Sequence, residues 1–166
     1  MASVDNKWSH KRLTLIRLNK SVPQMPDLIT VFVVDGDQSV RRAMSRLMRA
    51  VGFRAVCLNS LDALLQENLP TSGAIILLDV DTARQFSVAL QEPFKSGGLT
   101  LPVIFLTDCD SERTRREARQ MGASGYFRKP VDEQALFDAI TFAVRRKTNH
   151  DMNERATTSH SSNGMK

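Results

Sequence analysis

Two uninterrupted apolar runs, GAIILLDV at residues 73–80 and LPVIFLT at 101–107, constrain this chain most. A strand with one wet face alternates apolar and polar residues. A run that stays apolar needs cover on both faces, as in a parallel sheet lined by helices. The segments around these runs supply such helices. ITVFVVD (29–35) reads as a strand and leads into SVRRAMSRLMRAVGF (39–53). There Val40, Ala43, Met44, Leu47, Met48 and Val51 recur at helical spacing, and Gly52 is placed to end the helix. RAVCLN (54–59) reads as a second strand, and Ser60 can cap a short helix with Leu61, Leu64 and Leu65 inward. Residues 84–95 read as a weaker helix that stops near Gly97 and Gly98. SERTRREARQMGA (111–123) is helical to Gly122, SGYFRK (124–129) is a fifth strand, and DEQALFDAITFAVRR (132–146) is an amphipathic helix capped by Asp132. Five strands alternating strictly with five helices predict an α/β fold, a doubly wound parallel sheet with helices on both faces.

Charge separates this middle from the ends. The formal net charge is +5. Residues 1–27 carry five Lys/Arg against two Asp, and residues 145–166 carry five Lys/Arg against two acids, so the middle is close to neutral. A basic core would point to nucleic acid; basic ends are weaker evidence, because charge on tails serves solubility. The first 27 residues hold one amphipathic stretch, LTLIRL, and read as a basic N-terminal extension. From Thr148 the chain is Thr, Ser, Asn and charge, a composition that predicts a disordered polar tail over 148–166. The 28–147 segment is then the folded domain. No apolar run is long enough to span a membrane, and the N-terminus lacks the apolar stretch of a signal peptide. Two cysteines, Cys57 and Cys109, make neither a disulfide framework nor a metal site. A reducing cytoplasm is the expected setting.

In an open α/β sheet, chemistry gathers beyond the C-terminal ends of the strands, where the winding reverses. The polar residues at those ends are Asp35, Asp79, Thr107 and Lys129. Neighbouring acids there can hold a divalent cation, and a hydroxyl and an ammonium complete a pocket for a phosphoryl group. There is no glycine-rich phosphate loop and so no nucleotide site.

VFVVDGDQSVR, LLDV, LPVIFLTD and MGASGYFRKP, in this order and at this spacing, resemble the receiver domain of two-component response regulators, with the flavour of the FixJ-type subgroup. The likeness runs from about Ile29 to Val144. It implies a flavodoxin-like sheet of strand order 2-1-3-4-5. It implies that Asp79 is the phosphoacceptor, whose carboxylate attacks the phosphorus of a phosphohistidine on a sensor histidine kinase or phosphotransfer protein. Thr107 is then the switch hydroxyl, Lys129 the cation that meets the phosphoryl group, and Tyr126 the aromatic switch. Mg²⁺ would be met by Asp35, Asp79 and the backbone carbonyl of Asp81, whose side chain also lies within reach. A cis Lys129–Pro130 peptide is usual in the family. A homodimer through helix 4, strand 5 and helix 5 is the family's contact surface. The resemblance carries no DNA-binding helix-turn-helix in this chain, so DNA is not an expected partner, nor is a membrane.

The chain departs from the family at the pocket. The acidic pair is normally two adjacent residues; the second position is Gly36, so a direct metal ligand is missing and Mg²⁺ binding should be weak. Asp37 follows the glycine and points elsewhere. Asp108 stands where a small residue is usual. Thr82, Ala83 and Ser87 replace the usual loop after the phosphoacceptor. Each singled-out residue also has a plain structural role open to it. Asp79 can cap a helix, Asp35 can pair with Lys129, Tyr126 can be core, and Thr107 can be a strand-end hydroxyl. Arg113, Arg115, Arg116 and Arg119 can form a solvated helix face, and Cys109 an inert loop residue. Three functions compete: a stand-alone receiver that accepts phosphate and signals by contact, a degenerate pseudo-receiver that interacts without phosphate, and, behind these two, a nucleic-acid adaptor that works through its basic ends. The first two are signalling modules, and none of the three is an enzyme.

Overall fold

A computed structural model of the chain describes residues 28–84 and 99–160. Its strands are β1 (Thr30–Val34), β2 (Arg54–Leu58), β3 (Ala74–Asp79), β4 (Val103–Thr107) and β5 (Gly125–Arg128). All pair in parallel, in the order β2-β1-β3-β4-β5. The described helices are α1 (Gln38–Ala50), α2 (Leu61–Leu65), α3 (Val80–Arg84), α4 (Glu112–Gln120) and α5 (Glu133–His160).

The period-two geometry of the strands sorts their residues onto two cores. Val31 and Val33 of β1, Ile75 and Leu77 of β3, and Ile104 and Leu106 of β4 face Met44 and Met48 of α1 and Leu136 and Ile140 of α5. Phe32, Val34, Ile76, Leu78 and Phe105 face the other way, onto Leu61 and Leu64 of α2 and Ala118 of α4. Every residue of β3 and β4 is buried, which is why both runs are apolar with no alternation. Each fully buried Leu, Ile or Val contributes roughly 1.5–3 kcal/mol relative to exposure. The two cores therefore dominate the favourable side of folding.

The helix ends follow from local chemistry. Ser60 and Ser111 accept hydrogen bonds from the backbone N–H groups of Ala63 and Thr114, at 3.2 and 3.1 Å, and so cap α2 and α4. Asp132 Oδ1 accepts from Ala135 N at 2.8 Å at the start of α5. Gly52 takes φ +85° after α1, a left-handed turn that a side chain would oppose.

Several expectations change in the structure. Leu65 is exposed, because α2 is one turn long and turns only Leu61 and Leu64, three residues apart, onto the sheet. Ala43 on α1 and Val51, just past its end, are likewise exposed. A short helix, α3, starts directly after Asp79, whereas the weaker helix expected over 84–95 falls almost wholly outside the described residues. The LTLIRL stretch and the rest of 1–27 fall outside them too. The stretch from Thr148, read from composition as disordered, is helical as far as His160. Pairs one turn apart lie along the continuation: Lys147 Nζ is 2.9 Å from Asp151 Oδ1, and His150 Nε2 is 3.1 Å from Glu154 Oε1. Polar composition alone does not stop a helix that already has a nucleus in α5. Among the described residues, no helix is long and apolar enough to cross a membrane.

Candidate functional site

The winding reverses between β1 and β3. The chain goes from β1 outward to β2, then returns past β1 to β3 and continues to β5. A crevice opens there at the C-terminal strand ends. Asp35 leaves β1 into it and Asp79 ends β3 beside it; both are buried. Thr107 ends β4, and Lys129 follows β5.

The turn Asp35-Gly36-Asp37 divides its acids between two tasks. Asp35 Oδ1 accepts from Asp37 N at 2.8 Å, which folds the turn back on itself. Asp37 Oδ1 accepts from Ser39 N at 2.7 Å and caps α1. Asp37 thus belongs to the helix and lies outside the pocket. Arg41 Nη1 donates to the Asp35 carbonyl at 2.6 Å and ties the turn to α1.

Lys129 joins the two buried acids. Its Nζ lies 3.0 Å from Asp35 Oδ2 and 2.8 Å from Asp79 Oδ1. Asp108, exposed, is 3.7 Å away. The Lys129–Pro130 peptide is cis. Burial pulls the ammonium toward neutrality, but the hydrogen bonds and charges of Asp79 and Asp35 prevail, and its pKa is raised. Burial likewise pushes the Asp79 carboxyl up. The hydrogen bond from Lys129, the backbone hydrogen bond from Thr82 and the Lys129 charge outweigh it, so Asp79 titrates below the usual carboxylate range.

The other Asp79 oxygen is held by Thr82. Oδ2 accepts from Thr82 N at 2.8 Å and from Thr82 Oγ1 at 2.9 Å. The backbone bond is the i to i+3 bond of a helix cap, so Asp79 also starts α3. Thr82 Oγ1 in turn accepts from Gly36 N at 2.9 Å. Thr82 is a pocket residue that in the sequence stands out only as a departure from the usual loop. The available signal was its position three residues after a strand-end Asp, where a cap partner sits.

Thr107 is buried, with its hydroxyl turned to its own loop: Oγ1 donates to the Cys109 carbonyl at 2.9 Å and accepts from Cys109 N at 3.2 Å. The Tyr126 ring packs on the core beside α4, and its buried hydroxyl has no hydrogen-bond partner among the described residues. Burial and the neighbouring Asp110 raise its pKa. Asp110 itself is paired with Arg115 through two hydrogen bonds, the Nε–Oδ1 one at 2.7 Å, and is held below the usual carboxylate range by that pair.

The carboxylates of Asp79, Asp81 and Asp108 converge within 4.8 Å, a set able to offer oxygens to a divalent ion. Asp35 is outside this set. The residues present do not fit an ion seated as the family seats it: position 36 has no carboxylate, both Asp35 oxygens already accept from the chain, and Asp79 Oδ2 is covered by Thr82.

The family profile for the response regulator receiver domain matches residues 31–141. The chain belongs to the response regulator receiver family. Nodulation protein W of Bradyrhizobium diazoefficiens is 31% identical over 116 residues, covering 70% of this chain and 51% of the relative. Transcriptional regulatory protein FixJ of Azorhizobium caulinodans is 26% identical over 132 residues, covering 80% and 63%. The chain thus spans about half to two thirds of the length of these relatives. Among solved structures, a receiver protein from Burkholderia phymatum is 32% identical with TM-score 0.56, covering 69% of this chain and 94% of that one. Full-length FixJ from B. japonicum, at 21% identity and TM-score 0.62 over 78% and 64%, shares the fold.

Proposed function

We propose that this receiver takes a phosphoryl group onto Asp79 from the phosphohistidine of a sensor histidine kinase or phosphotransfer protein and signals by protein contact in the cytoplasm. The observation that supports it most is the Lys129 ammonium held between Asp35 and Asp79 at the sheet's switch point. A lysine spanning two buried acids is a ready counter-charge for a phosphoryl group. With its pKa lowered, Asp79 is an ionised nucleophile at neutral pH. One of its oxygens forms the new P–O bond while the P–N bond to histidine breaks, and the departing imidazole takes a proton from solvent. Lys129 then meets a phosphoryl oxygen. Thr107 exchanges its loop hydrogen bonds for one to another, and Tyr126, with an unsatisfied hydroxyl, follows the loop. We further propose that Mg²⁺ binds only weakly, through Asp79, Asp81 and Asp108, and that the α4–β5–α5 face serves a second copy of the chain.

A small phosphodonor should add the mass of one phosphoryl unit to the native chain and none to Asp79→Asn. Labelling that persists in Asp79→Asn overturns the assignment. The competing reading, a pseudo-receiver that works without phosphate, is favoured by one observation, the Asp108 carboxylate beside Lys129, which would repel an incoming phosphoryl dianion. Unlabelled native protein that still captures its partner would establish it.

A further inference from the structure

Glycine at position 36 has no backbone reason. Its φ is outside the left-handed region, and a Cβ built there would meet a single atom within 4 Å, the Thr82 hydroxyl oxygen at 3.4 Å. That is ordinary contact distance. Position 36 could carry a side chain, and the space beside it is occupied by Thr82.

The hydroxyl is placed by both of its neighbours. It accepts from the Gly36 N–H at 2.9 Å and donates to Asp79 Oδ2 at 2.9 Å, and Thr82 is only 5% exposed. The Thr82 N–H reaches the same Asp79 oxygen. Lys129 and Asp37 N supply the donors to the rest of the buried acid pair. Each oxygen of the two carboxylates therefore has a donor from the chain itself. A hydroxyl proton aimed at Asp79 Oδ2 and a cation on the same oxygen repel one another, and a small hard cation tolerates little distortion of its oxygen shell.

We propose that Thr82 is a built-in competitor of divalent cations for Asp79: its hydroxyl, held by the Gly36 N–H, covers Asp79 Oδ2 with hydrogen bonds of the chain. Cation binding then requires Thr82 to release both Gly36 and Asp79. Gly36 and Thr82 act as a pair, the one leaving out an acid and the other filling the space with a neutral donor. Thr82 is a positioning residue in this scheme, acting on Asp79 and not on the phosphoryl group. The proposal rests on the reading of Asp79 as the centre of a receiver pocket, but its test reads cation binding, which needs no phosphorylation.

The test is Mg²⁺ titration of the full chain by calorimetry and by amide NMR. Thr82→Ala should bind Mg²⁺ about tenfold more tightly than the native chain, equivalent to about 1.4 kcal/mol, and Thr82→Ser should bind as the native chain does. In the native chain, which needs no variant to fold, Mg²⁺ should shift the Gly36 and Thr82 amides together and speed exchange of the Gly36 amide as its bond opens. Affinity unchanged or weakened in a folded Thr82→Ala overturns the proposal. So does native Mg²⁺ saturation that leaves the Gly36 amide unmoved. A phosphodonor that fails to label Asp79 refutes the phosphotransfer reading and leaves these cation results standing.

Discussion

Replacing Lys129 by methionine keeps the length of the side chain and removes the charge that joins Asp35 and Asp79. In the native pocket the ammonium is 3.0 and 2.8 Å from two carboxylates that are almost fully buried, and the lysine side chain is itself only 16% exposed. Breaking a buried ion pair by removing one partner costs about 3–5 kcal/mol, because an uncompensated charge is left behind. The low end applies here, since Thr82 still donates twice to Asp79 and Asp37 N once to Asp35. A loss of about 3 kcal/mol at pH 7 lowers Tm by roughly 10 °C for a domain of this size. The pH dependence should change sign as well. In the native chain Asp79 titrates below its ordinary 3.8. Its contribution is complete above that value and is lost as pH falls through the lower folded one. Without Lys129, burial and the neighbouring acid raise a carboxyl of the pair. The folded state then binds a proton before the unfolded state does, and the variant recovers stability as pH falls from 7 toward the ordinary carboxylate value. Urea unfolding at pH 7.5, 6 and 5 measures this. Equal stability of the two proteins at pH 7, or a variant that gains no stability relative to the native chain between pH 7.5 and 5, refutes the reasoning.

Restoring the acid at position 36 should strengthen the metal site: Gly36→Asp is expected to tighten Mg²⁺ binding by about tenfold or more, with Gly36→Ala as the neutral control in the same calorimetric titration. Backbone strain does not enter, since Gly36 is not left-handed. Added Mg²⁺ should also raise Tm more in Gly36→Asp than in the native chain. On the core side, Met48→Ala empties a fully buried site under β1 and β3 and should cost about 2–5 kcal/mol, read by urea unfolding with no change in Mg²⁺ affinity.

The fold class and the positions of four pocket residues can be read from the order of residues alone. Continuous apolar runs at 74–79 and 103–107 mark strands covered on both faces, and helical periods between strands dictate crossovers and hence a parallel sheet. Strand ends are legible because an apolar run must stop where water begins, so Asp35, Asp79 and Thr107 could be placed by position alone. Lys129 came the same way, just past β5. Local periods could not decide how far a helix continues once packing has nucleated it. For that reason α5 runs through the polar stretch to His160. Nor could they give the direction of single side chains. Whether Asp37 serves the pocket or the α1 cap, and whether Thr107 faces its own loop, depend on which donors and acceptors the fold brings within hydrogen-bond reach. The relation of Gly36 to Thr82 was the least legible, for it joins residues 46 positions apart through one hydroxyl. Contacts of that kind exist only once β1 and β3 lie side by side, because the sheet, and not the chain, brings the ends of two strands to one oxygen.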